Sequence, residues 1–189
     1  MTTKKQEKIK FSKAFWVANT VELFERAAYY GVFIVITLYL SRILGFNDIQ
    51  AASIAGIFSA CLYLLPTFAG ALADKIGFRN SMLLAFTLLT CGYLGLAVYP
   101  TWLQSAGLVE YSTMTTFTGL LESNLQYGII PIMALIVCGG AFIKSVISGT
   151  VAKETTPETR AKGFSIFYAM VNIGAFSGKT IVKLSLIHI

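Results

Sequence analysis

Ala14-Phe-Trp-Val-Ala-Asn19-Thr-Val-Glu22-Leu-Phe-Glu25-Arg26-Ala-Ala-Tyr29-Tyr30-Gly-Val-Phe-Ile-Val-Ile-Thr-Leu-Tyr-Leu40 is long and apolar enough to cross a bilayer, yet it carries three charges. A helix spanning hydrocarbon needs about 20 apolar residues. At about 100° per residue, Glu22, Glu25, Arg26 and Tyr29 fall on one face, with Asn19 and Tyr30 at its edge. The remaining faces are Val, Leu, Phe, Ala and Ile. Such a polar stripe must face a bundle interior or water.

Four further windows reach spanning length: Ile49–Ala73, Ser81–Tyr99, Gln126–Val151 and Gly163–Val182. Apolar residues make up 56% of the 189-residue chain and charged residues 13%, and the mean hydropathy is +0.70. Soluble domains carry about 25% charged residues. Backbone groups in lipid must be paired within their own element, so helices are expected, and no segment alternates as a barrel strand does. The predicted class is all-α and polytopic, with five spans.

The net charge of +6 is distributed by loop. Residues 1–13 form a basic leader, Lys75 and Arg79 separate spans two and three, and Lys153, Arg160 and Lys162 separate spans four and five. The alternate loops hold Arg42 as their one basic residue. Basic loops remain in the cytoplasm, which predicts a cytoplasmic N-terminus and membrane lipid, not nucleic acid, as the partner of that charge. The first span is too long, and too charged at its centre, for a cleavable signal peptide. Cys61, Cys91 and Cys138 all fall within spans and suggest neither a disulfide framework nor a metal site. The stretch from Pro100 to Leu125 is expected to be a longer outer segment, carrying Glu110 and Glu122.

Depth brings charges together. Glu22 lies nine residues past Lys13, and Lys144, the one charge of span four, lies nine residues before Lys153. Both are therefore about 13 Å inside the boundary on the same side, within a hydrocarbon layer about 30 Å thick. Asn172 of span five is expected about 15 Å in, near the same plane. Lys144 is expected to pair with Glu22 or Glu25, and Arg26 with the other. Fully ionised, the four charges sum to zero, as a buried site requires. A proton on one glutamate would release a cation able to hold a substrate carboxylate, linking the two binding events.

Gly70-Ala-Leu-Ala-Asp74-Lys75-Ile-Gly77-Phe-Arg79 closes span two. Gly77 suits a helix C-terminus at positive φ, and Asp74 with Arg79 would form a latch on the cytoplasmic side. Pro66 and Pro131 are expected to kink their helices. There is no phosphate-cradling glycine loop, and the single histidine, His188, is at the terminus, so a membrane enzyme is poorly supported and no cofactor beyond protons is expected.

These motifs resemble a known family. The Asp74 motif is similar to the loop between helices two and three of the major facilitator superfamily. Glu22-x-x-Glu25-Arg26-x-x-Tyr29-Tyr30 resembles the signature of its proton-dependent oligopeptide transporters, Lys144 matches that family's helix-four lysine, and Gly163–Phe176 resembles its helix five. The resemblance implies a symporter of di- and tripeptides or related solutes in a bacterial inner membrane. Glu22, Glu25, Arg26 and Lys144 would couple protons, and Arg26, Tyr29, Tyr30, Tyr63, Lys144 and Asn172 would meet the substrate. Ala27 stands where the signature usually has Phe, and Ser145-Val146 where the family usually has Pro-Asn. Facilitator folds pair two six-helix bundles, so the chain is expected to supply part of the first and to need a C-terminal half as partner. Residues 184–189 read as a tail foreign to that pattern. Other expectations are a drug or solute antiporter of the same superfamily, or a non-transporting receptor or scaffold. Liposomes holding this chain alone are expected to accumulate no solute; measured uptake would refute that.

Overall fold

The computed structural model describes residues 10–107 and 124–187. They form five long helices: α1 (Lys13–Leu38), α2 (Asp48–Ile76), α3 (Phe78–Ser105), α4 (Ile129–Lys153) and α5 (Arg160–Ile187). A π-helical turn, Tyr39–Ile43, ends α1, and a 3-10 turn, Asn124–Gly128, leads into α4. Helices of 25 to 29 residues extend about 38–44 Å at 1.5 Å per residue, longer than the hydrocarbon layer is thick. Among the described residues, the helices from α1 to α4 are long and apolar enough to cross a membrane. α5 is as long but carries Lys179 and Lys183 in its last turns, which dilute its apolar run.

Local chemistry fixes the helix ends. Ser12 caps α1 by accepting the Phe15 N–H at 3.1 Å, and Asn47 with Gln50 forms a reciprocal capping box on α2. A single residue, Gly77, joins α2 to α3 at φ 85°, a conformation that glycine adopts without steric penalty. Its N–H closes on the Ala73 carbonyl at 2.9 Å. α3 continues through Pro100 to Ser105, with Leu103 fully buried, so the segment expected to leave the helix at Pro100 begins later; Glu110 and Glu122 lie outside the described residues. Pro131 causes no break, because in the first turn of α4 its missing N–H would have no helical partner anyway.

The basic turns gather at one end. Ser12 Oγ donates to Glu154 at 2.5 Å, and the Lys153 ammonium lies 3.9 Å from the centroid of the Phe78 ring. At the other end Phe46 stacks edge-on with Tyr127 at 5.3 Å, and the Tyr99 hydroxyl donates to the Leu125 carbonyl. α4 is the most enclosed helix and packs on all four others.

α5 packs chiefly along α1. Gly174 and Gly178, four residues apart, lie directly against the backbone carbonyls of Leu23 and Ala27. This is the small-residue approach by which helices associate in lipid, where no hydrophobic force separates them from the solvent. A methyl at either glycine would strike backbone, which yields less readily than a flexible side chain. Gly178→Ala is therefore expected to push α5 from α1 and destabilise the fold by about 1–3 kcal/mol. Thermal unfolding in detergent, compared with Gly56→Ala where the added methyl meets open space, measures it.

Candidate functional site

The α1 stripe is enclosed. Asn19 is 0% exposed, Glu22 1%, Tyr29 4%, Arg26 5% and Glu25 8%. Arg26 holds both acids of its own helix. Its Nε and a terminal guanidinium nitrogen each lie 2.5 Å from Glu25 Oε2, and Nε lies 3.4 Å from Glu22 Oε1. A planar fork of five donors can serve two carboxylates where an ammonium would serve as a point charge.

Lys144 is not in that cluster as an ion-pair partner. Among the described residues, no carboxylate lies within 4.0 Å of its ammonium. The Nζ instead sits 4.3 Å from the centroid of the Tyr63 ring on α2. The expected division, one glutamate to Arg26 and the other to Lys144, is thus replaced by Arg26 with both and Lys144 on an aromatic face. The reason is proximity: Arg26 shares a helix with both acids, one and four residues away, whereas Lys144 must cross from α4. Lys144 still acts electrostatically on Glu22, Glu25 and Arg26. Gly140, one turn before it, brings α4 close enough that a methyl there would lie 3.8 Å from Glu25 Oε1.

A groove of about 650 Å³ runs beside Lys144 toward the basic end, between α2, α4 and α5. Its walls include Tyr63, Gly70 and Asp74 of α2, Lys144 and Ser145 of α4, and Tyr168 of α5. Lys75, Gly77 and Arg79 are exposed at the turn below it. No ion pair joins Asp74 to Arg79 among the described residues, so the expected pairing is not formed here. Tyr63 is exposed and its hydroxyl interacts with that of the half-buried Tyr30. Tyr29 is turned inward, stacked on Phe33 at 5.5 Å and Phe58 at 6.2 Å, with its hydroxyl near Ser59. Asn172 is exposed on α5 and is not among the groove's lining residues.

Sequence reasoning missed two contributors. Ser145 Oγ donates to the Pro66 carbonyl at 2.5 Å and ties α4 to α2 beside Lys144. The Tyr93 hydroxyl of α3 is buried without a partner among the described residues, as is Glu22 Oε2. A lone tyrosine in an apolar helix carries no periodic signal, so only packing reveals it.

Removing Arg26 would leave two buried carboxylates without their shared cation. Arg26→Leu is expected to destabilise the protein by about 3–5 kcal/mol, while Lys144→Ala, half-buried and free of ion pairs, should lose about 1 kcal/mol or less. Unfolding curves of the two variants in detergent check the contrast.

Comparison of the sequence with known proteins identifies a family. The Major Facilitator Superfamily family model covers residues 15–184. Among curated proteins, dipeptide and tripeptide permease A of Pectobacterium carotovorum subsp. carotovorum (strain PC1) is 28% identical over 170 residues, covering 87% of this chain and 28% of the relative. The permease of the same name from Salmonella typhimurium is 31% identical over 169 residues, covering 87% and 29%. The chain thus spans less than a third of the length of these relatives. With the multi-pass helical architecture and the α1 and α4 charges in place, the chain belongs to the major facilitator superfamily.

Proposed function

We propose that the chain is the proton- and substrate-binding part of a proton-coupled symporter of di- and tripeptides or related small solutes. One observation carries the reading: Arg26 is held between Glu22 and Glu25 while the Lys144 ammonium, facing a groove, rests on an aromatic ring and meets no carboxylate among the described residues. Ionised, Glu22, Glu25 and Arg26 sum to −1, and Lys144 restores neutrality. A proton on either carboxylate leaves the set at +1, which a substrate carboxylate offsets. Proton and substrate then favour one another's binding through a shared charge balance. Glu22 Oε2, buried and without a partner among the described residues, is the oxygen open to a proton. The names of the relatives support peptides as the solute class.

The N-terminus and the basic turns face the cytoplasm of a bacterial inner membrane in this reading, since basic loops stay inside. Protons are the coupling ion and no other cofactor is needed. The relatives are more than three times as long as the matched region, and the remainder of such a chain supplies the opposing wall against which this bundle rocks.

The test uses the full-length transporter containing this segment, reconstituted in proteoliposomes. Dipeptide addition is expected to acidify the lumen under an inward proton gradient. Glu22→Gln is expected to abolish gradient-driven accumulation while peptide counterflow survives. Dipeptide that drives protons outward would indicate an antiporter, and binding without proton movement a receptor; either result refutes the proposal.

A further inference from the structure

Lys179 takes no part in the proton scheme. It is an exposed residue of α5, seven positions past Asn172 and so about 10 Å further from the basic end. Its ammonium lies 4.7 Å from the centroid of the Tyr30 ring. The Tyr30 hydroxyl interacts with that of Tyr63, whose ring carries the Lys144 ammonium at 4.3 Å. Two lysines, from α5 and α4, therefore sit at the two ends of a tyrosine pair from α1 and α2.

Aromatic faces hold these ammoniums without neutralising them. Among the described residues, neither has a carboxylate within 4.0 Å. Lys183, exposed one turn further along α5, extends the positive stripe. A charge-assisted hydrogen bond to a carboxylate is stronger than a cation–π contact at an exposed site. An anionic group arriving from the end opposite the basic turns would therefore draw Lys179 off the Tyr30 ring.

We infer that Lys179 is a second carboxylate-recognition group, meeting the anionic end of a solute at the Tyr30–Tyr63 pair and giving preference to solutes with a free carboxylate. This rests on the transport reading above.

The experiment compares dialanine with its C-terminal amide in proteoliposomes holding the full-length transporter. The kcat/KM ratio of free acid to amide is expected to fall about tenfold in Lys179→Gln, through KM, and to recover in Lys179→Arg. Uptake with an unchanged ratio overturns the inference alone. Absence of uptake of either dipeptide by the wild type overturns the transport reading and this inference with it. Competition on the wild type needs no variant: free acid and amide displacing labelled dialanine equally would also overturn it.

Discussion

The Arg26 guanidinium, closed on Glu22 and Glu25, is the constraint on which the rest of the bundle depends. Three charges on little more than one turn of helix cannot face lipid. α1 must therefore be enclosed by other helices, and the enclosure is nearly complete at these residues. The pairing is local in sequence, so it can form as soon as α1 does. The interhelical geometry then adjusts to a polar stripe already neutralised to −1.

Enclosure is achieved by small residues more than by large ones. Gly174 and Gly178 let α5 lie on the α1 backbone, and Gly140 brings α4 within van der Waals reach of Glu25. Ala27, where the resembled signature usually has Phe, sits under Gly178. Its small side chain suits the close α1–α5 approach. Ser145, where the family usually has Pro, ties α4 to the Pro66 carbonyl of α2. Both departures adjust packing around the site while Glu22, Glu25, Arg26 and Lys144 remain in place.

The groove is the complement of this closed side. Where α2, α4 and α5 do not meet, Lys144, Tyr63, Asp74 and Tyr168 are left facing open space. The two sides differ in electrostatics as well. The closed side pairs its cation with carboxylates, and the open side rests its cations on aromatic rings. Charge is thus settled within α1 and left available on α4 and α5.

The sequence by itself determined the helical class and the grouping of basic turns at one end, and it predicts a common level for Glu22, Lys144 and Asn172. These follow from span length, charge placement and a fixed rise per residue, which are one-dimensional quantities. It also showed that Glu22, Glu25 and Arg26 share a face. That Lys144 pairs with neither carboxylate was decided only in three dimensions, because depth along the membrane says nothing of rotation about each helix axis. Rotation turned Tyr29 inward onto Phe33 and Phe58. It left Asn172 off the groove wall, set Lys144 over Tyr63, and buried the Tyr93 hydroxyl without a partner among the described residues. Those azimuths are fixed by which small residues permit close approach, and that depends on all the helices at once.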